Sequence, residues 1–253
     1  FFWKEVSYLS KVSGVVAEFN PLHNGHKYLL SKARTVSDAV VCVMSGNFVQ
    51  RGEAAVLSPH ARAEIVVSSG ADAVVELPFP YAASSAEFFG RAGVEILSRL
   101  GVDEIWFGSE TGDLEGISRL AEVAESAAFQ AAYAEAAERD GGTAKTYCEL
   151  LTKMANDNSI ACAPNDILGI SYLRAIQKLG SHIRPVAIKR RGSGYAEKDI
   201  KDDTFPSATA LRRVWAEQEI ESVMAYLPDV SGEISRREAR AGRAPANLKK
   251  AES

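Results

Sequence analysis

The chain has 253 residues, 46% of them hydrophobic and 25% charged, with a formal net charge of −4. That length allows a sizeable core, and the charge excludes a polycation that grips nucleic acid with its whole surface. No apolar run reaches the roughly eighteen residues of a membrane span, and the opening FFWKEVSYLSK, broken by Lys4 and Glu5, lacks the cleavage site of a signal peptide.

Cys42, Cys148 and Cys162 are widely spaced, which fits neither a disulfide framework nor a zinc motif and leaves the cytoplasm as the expected compartment. Cys42 lies in an apolar run and reads as a small core residue.

Four short runs, VSGVVAE (12–18), AVVCVM (39–44), ADAVVELP (71–78) and DEIWFG (103–108), are apolar at nearly every position. Such runs suit strands buried on both faces of a parallel sheet. Between them Leu29, Ala33 and Val36, and later Phe89, Gly93, Ile96 and Leu100, recur at helical spacing. The alternation predicts an α/β fold, a doubly wound parallel sheet with added helices. From 113 to about 155 the sequence is Ala- and Glu-rich and strongly helical by propensity, broken by Gly141 and Gly142. A further helix fits 166–179, with Leu168, Tyr172, Ile176 and Leu179 on one face. IRPVAI (183–188) reads as one more strand, with Pro185 favouring an edge. RRGSGYAEKDIKDD reads as a long polar loop, and SATALRRVWAEQ restarts a helix.

After Pro228 the apolar periodicity is lost, and no core is expected there. In the last twenty residues Arg236, Arg237, Arg240, Arg243, Lys249 and Lys250 face only Glu238 and Glu252, a local charge of +4. The expectation is a solvated, frayed terminus, with a local contact to nucleic acid as the alternative. Residues 12–216 are expected to form the main α/β domain and 217–253 a helical, basic tail.

EFNPLHNGHKYLL (18–30) spends two of only four histidines on one tight corner. Ligands of open α/β sheets sit beyond the carboxyl ends of the strands, and this is the first such loop. Pro21 stiffens it, Gly25 permits close approach, and the free N–H groups of a helix starting near His26 attract anions. His23 and His26 there suit hydrogen bonding to phosphate, as catalytic groups stabilising charge on an α-phosphate during in-line attack. A metal pair and a plain structural turn are the competing readings, although His-x-x-His without a third ligand is a poor zinc signature. PSATALRR (206–213) offers a second anion site, with Ser207 and Thr209 at a helix start and Arg212 one turn in. An ordinary Ser N-cap with a surface Arg is the plainer alternative.

His-x-Gly-His near the first strand with a late Ser-x-Thr-x-x-Arg resembles the nucleotidyltransferase superfamily. GVVAEFNPLHNGHKYLL, VMSGNFVQRGEAAV, ADAVVELPFPYAASSAEFFG, GVDEIWFGSE, PNDILGISYL and PSATALRR together look like the signatures of bacterial tRNA(Met) cytidine acetate ligases, over roughly 12–216. The resemblance implies a Rossmann-like nucleotidyltransferase fold and a two-step reaction. ATP and acetate give acetyl-adenylate and pyrophosphate, and the acetyl group passes to the exocyclic amine of the wobble cytidine of elongator tRNA(Met). Mg²⁺ is expected to ride with the triphosphate.

Carried over, the ATP-binding set is Val16, Ala17, Glu18, Phe19, Asn20, Pro21, Leu22, His23, Asn24, Gly25, His26, Lys27, Tyr28 and Leu29, then Gly108, Asn165, Arg190 and Arg191, joined by Ser207, Thr209 and Arg212. Read plainly, Gly108 is a turn glycine, Asn165 a cap for the helix after Pro164, and Arg190–Arg191 a basic loop. Asn47, Gln50 and Arg51 leave the second strand and are candidates to bind the second substrate, acetate or cytidine; Glu76 and Glu110 are weaker ones. Members of the family are usually longer, with further helices that help hold tRNA, and often carry a His where this chain has Ala196. An adenylyl- or cytidylyltransferase acting on a phosphorylated small molecule shares both motifs but not MSGNFVQRGE. A non-catalytic nucleotide- or RNA-binding module is the third reading, and the intact motifs argue against it.

Overall fold

The apolar runs become the strands β1 (Val12–Ala17), β2 (Ala39–Ser45), β3 (Ala73–Leu77), β4 (Glu104–Ser109) and β5 (Arg184–Lys189). The computed structural model describes residues 10–156, 163–190 and 206–246, apart from the side chains of Arg51 and Asp140. Among these residues the strands form one sheet in the order β3-β2-β1-β4-β5, and every pairing is parallel. β5 is an edge strand, where Pro185 forfeits no interior ladder bond.

The helices are α1 (Asn24–Arg34), α2 (Pro59–Ser68), α3 (Phe79–Ala82), α4 (Ala86–Arg99), α5 (Leu114–Glu125), α6 (Ala127–Asp140), α7 (Ala144–Ala155), α8 (Pro164–Leu179), α9 (Ala208–Glu217) and α10 (Asp229–Arg240). They cover both faces of the sheet, the doubly wound arrangement expected. Side chains alternate along each strand, so Val16 joins one core with Leu97, Phe107 and Ile170 from the α4–α8 side. Val15 joins the other with Leu30, Ile65 and Leu211 from α1, α2 and α9. Burying a Leu or Ile side chain in this way stabilises the fold by roughly 1.5–3 kcal/mol.

Helix ends follow local chemistry. Ser58 and Ser207 cap α2 and α9 by accepting from Ala61 and Ala210 N–H. Gly141 and Gly180 end α6 and α8 in left-handed conformation.

The expectation of a frayed chain after Pro228 is corrected. Asp229–Arg240 is a helix, and its inward face is built from Ser231, Gly232, Ile234 and Ser235 rather than from a large apolar stripe. A Cβ at Gly232 would come within 2.5 Å of Met224 Cε, and Ser231 bonds Leu22 O, so α10 packs through small residues and hydropathy alone hides the contact. Ile234, with Ile220 and Val223 from the 3₁₀ segment Ile220–Tyr226, extends the second core. Three of the tail's arginines are paired within the chain: Arg237 with Glu64 at 2.8 Å, Arg236 with Glu221 at 3.0 Å, and Arg243 with Glu238 at 2.7 Å. Lys249, Lys250 and Glu252 lie outside the described residues, as do Cys162 and residues 191–205, on which most of the expected polar loop falls.

Candidate functional site

In the order β3-β2-β1-β4-β5 the chain reverses direction of travel between β1 and β4, and ligand crevices of open sheets form at such a point. A cavity of about 710 Å³ opens there, at the carboxyl ends of β1, β4 and β5, within the size range of small-molecule sites.

Its corner is built by the turn from β1 into α1. Phe19 is held at φ 46°, a left-handed conformation that costs about 1–3 kcal/mol for a side chain of this size. Burial of its ring, packed edge-on against His26 at 5.2 Å, offsets that cost. Asn20 Oδ1 accepts from Val56 N–H at 2.8 Å, and Asn20 O accepts from Arg212 at 2.9 Å. The tail braces the same turn: Ser231 Oγ donates to Leu22 O at 2.8 Å, and Asn24 Nδ2 to Ala225 O at 3.3 Å.

His23 is the N-cap of α1. Its Nδ1 accepts from Gly25 N–H at 3.0 Å, while His26 Nδ1 accepts from His23 N–H at 3.3 Å, a reciprocal capping box made of two imidazoles. A ring whose Nδ1 accepts carries its proton on Nε2 when neutral. Both rings are held neutral. Burial, the neighbouring imidazole and the Arg190 charge press His23 well below its usual range, and burial and Arg190 hold half-buried His26 at about 3. The pair therefore presents two uncharged Nε2–H donors to a cavity whose cations are Arg190, Lys189 and Lys145.

The opposite wall comes from β4, β5 and α8. A Cβ at Gly108 would sit 3.3 Å from Arg190 Cγ, so the glycine makes room for that arginine. Ser109 Oγ donates to Asp166 Oδ1 at 2.5 Å and ties the end of β4 to the start of α8. Asn165 Nδ2 donates to Glu110 Oε1; the cap position of α8 is Ala163, so the reading of Asn165 as a helix cap is corrected. Glu110 acts here as the partner of Asn165 rather than as a lining group.

Of the residues expected from sequence, Val16, Ala17, Glu18, Phe19, Asn20, His23, Gly25, His26, Tyr28, Leu29, Gln50, Gly108, Asn165, Arg190 and Ser207 line the cavity. Pro21, Leu22, Asn24 and Lys27 belong to the turn and the outer side of α1 without lining it. Thr209 and Arg212 also stand outside the lining; Arg212 bonds Asn20 O, Thr209 and Glu53 and so clamps the turn from behind. Asn47 is exposed, and Glu76 packs beside Gly46. The Arg51 side chain and Arg191 lie outside what the structure describes.

Sequence reading missed two parts of the site. One is the wall of α7, where Ala144, Lys145, Cys148 and Glu149 face the cavity at helical spacing, with Ser84, Ser85, Phe89 and Tyr172 nearby. The other is Arg62, fully buried on α2. It donates to Leu57 O at 3.2 Å, to Glu18 O at 2.7 Å and to Gly46 O, joining the carboxyl ends of β1 and β2. No pattern in SPHARAEIVVS separates this arginine from a surface one.

Comparison with known proteins adds the following. A family model described as HIGH Nucleotidyl Transferase matches residues 10–252. The tRNA(Met) cytidine acetate ligase of Caldicellulosiruptor bescii is 39% identical over 244 residues, which are 94% of this chain and 60% of that protein. The protein of the same name from Caldanaerobacter subterraneus is 42% identical over 93% of this chain and 60% of its own length. The crystal structure of Thermotoga maritima TmcAL bound with alpha-thio ATP superposes with a TM-score of 0.81 at 38% identity, covering 94% of this chain and 58% of that one. Its apo form gives a TM-score of 0.82 at 37% identity, over 94% and 59%. The chain thus spans about 60% of the length of the curated relatives it matches.

Proposed function

This chain belongs to the HIGH nucleotidyl transferase family, and from that premise we propose that it binds ATP in the cavity at the β1–β4 crevice and activates acetate as acetyl-adenylate. The acetyl group then goes to the wobble cytidine of elongator tRNA(Met), giving N4-acetylcytidine. The observation that carries the reading is the pair of neutral imidazoles at the start of α1, with Arg190 across the cavity.

Acetate is a weak nucleophile, so the enzyme must align it and take up charge at the α-phosphate. As the acetate oxygen attacks phosphorus in line with the departing pyrophosphate, the Nε2–H groups of His23 and His26 donate to the α-phosphate oxygens. Neutral donors bind the developing charge without holding a proton that the phosphate would take. The N–H groups of the first turn of α1 add their partial positive charge, and Arg190 meets the pyrophosphate. Arg212 keeps Asn20, and so the whole turn, in register.

Gly108, Ile188 and Asn165 form the side suited to the nucleoside. Gln50, and the loop bearing Asn47 and Arg51, form the side suited to the acceptor. Among the described residues no group of three His, Cys, Asp or Glu side chains is arranged to hold a metal. Mg²⁺ arriving with the triphosphate would take its ligands from phosphate oxygens and water. Residues 12–216 carry the chemistry in this reading, and residues 217–246 of the 217–253 tail brace its corner. No helix of the described residues is long and apolar enough to cross a membrane, and a tRNA substrate puts the enzyme in the cytoplasm.

The test is ATP–pyrophosphate exchange with and without acetate. Acetate-dependent exchange is expected. Exchange supported instead by a phosphorylated small molecule would favour the plain nucleotidyltransferase.

A further inference from the structure

Glu18 is out of place in a cavity meant only for a triphosphate, because a carboxylate repels phosphate. It stands at the end of β1, one residue before the strained Phe19 and on the loop that leads to His23. Its Oε1 accepts from Gln50 N–H at 3.0 Å, which holds the carboxyl group toward the loop after β2. The nearby guanidinium groups bond elsewhere: Arg62 donates to the main-chain oxygen of Glu18, and Arg212 to Asn20, Thr209 and Glu53. Glu149, the other carboxylate of the lining, sits on the exposed rim and pairs with Lys145 at 3.7 Å. Glu18 is thus the inner carboxylate, anchored by one oxygen and not neutralised by a hydrogen-bonded cation.

Resting on the adenylation reading, we infer that Glu18 is the general base of the second half-reaction and receives a proton from the acceptor amine. The amine lone pair attacks the carbonyl carbon of the acetyl-adenylate and forms the new C–N bond. The C–O bond to the phosphate breaks, its electron pair leaves with AMP, and the N–H proton passes to the Glu18 carboxylate. The attacked carbon is bonded through oxygen to the α-phosphate, which the His23 corner holds at the other end of the same short loop. A base in this position serves the acceptor without touching the triphosphate.

The charged and titratable groups facing Glu18 are Arg62 from α2, Arg212 from α9, Glu53 from the loop after β2, and Tyr172 from α8. Burial outweighs the two arginines and raises the Glu18 carboxyl above its usual range, which brings a carboxylate base closer to neutral pH.

Glu18→Gln tests this, because the amide oxygen still accepts from Gln50 N–H. Two rates are read on wild type and variant: single-turnover acetyl transfer to elongator tRNA(Met), and trapping of the activated acyl group by hydroxylamine. Hydroxylamine attacks readily without a protein base. Transfer is expected to fall at least ~100-fold, the lower bound for losing a general base, and the ratio of transfer to trapping by at least ~30-fold. Wild-type transfer rises with pH through one ionisation that the Gln variant lacks and Glu18→Asp restores. Equal losses in both rates, or transfer within threefold of wild type, would overturn the inference alone. A wild-type chain that forms no hydroxamate contradicts the adenylation reading and the inference with it.

Discussion

His26 accepts a hydrogen bond from the backbone of His23 while His23 accepts one from Gly25, so these two backbone N–H groups fix both tautomers and leave each Nε2–H free. Their ring centroids lie 3.9 Å apart at an angle of 30°. The helix cap and the pair proposed to bind phosphate are thus one structure, and the turn and phosphate readings of the motif are compatible.

That double role separates stability from catalysis. His23→Asn keeps a good N-cap and is expected to unfold within about 1 kcal/mol of wild type. It loses an imidazole donor, and adenylation should fall by roughly 10²–10³, the cost of removing one transition-state donor. His26→Ala should fall as far in rate and unfold about 1 kcal/mol more easily. Denaturant titration and pyrophosphate exchange on the same samples check both.

The histidines also set a pH dependence. Their folded-state pKa values lie below the ordinary 6.5, His26 at about 3, so between those values the unfolded chain binds protons that the folded chain refuses. Stability is then complete above pH 6.5 and falls as the pH drops toward 3. Melting temperature against pH should show this decline, and His26→Ala should flatten part of it. Nitrogen-15 NMR at pH 6 should find both rings neutral with the proton on Nε2.

Arg62 carries the alignment of β1 with β2. Arg62→Met would leave the carbonyls of Glu18, Gly46 and Leu57 without their donor in a buried place. At about 1–3 kcal/mol for each group so stranded, a loss of roughly 3 kcal/mol or more is expected. Equilibrium unfolding measures it, and Arg62→Lys should recover only part, since one ammonium cannot reach three divergent carbonyls.

Gly93 lets α4 lie against β1: a Cβ there would come within 2.7 Å of Val16 Cγ1. Gly93→Ala is expected to destabilise the fold by about 1–3 kcal/mol through overpacking. The paired variant Gly93→Ala with Val16→Ala should regain part of that, and a double-mutant cycle reads the coupling.

The sheet was legible because strands buried on both faces leave continuous β-branched runs, as VSGVV and AVVCV do. The cavity corner was legible because His23, Gly25 and His26 fall within four consecutive residues. The α7 wall was not, since Lys145, Cys148 and Glu149 meet the corner only through tertiary packing. Arg62 was hidden because burial of a cation on backbone carbonyls leaves no periodic trace. α10 was misread because Ser231, Gly232 and Ser235 pack by being small, and hydropathy counts them as solvent-facing. Arg212, read as a phosphate ligand, donates to Asn20 O and stands outside the cavity lining, a tertiary contact that the spacing of PSATALRR does not announce.

The most direct test of the account is acetate-dependent ATP–pyrophosphate exchange, with tRNA omitted, by wild type and His26→Ala. The account predicts exchange that requires acetate in the wild type and drops by about 100-fold or more in the variant. Exchange indifferent to acetate, or a variant as active as wild type, would contradict it.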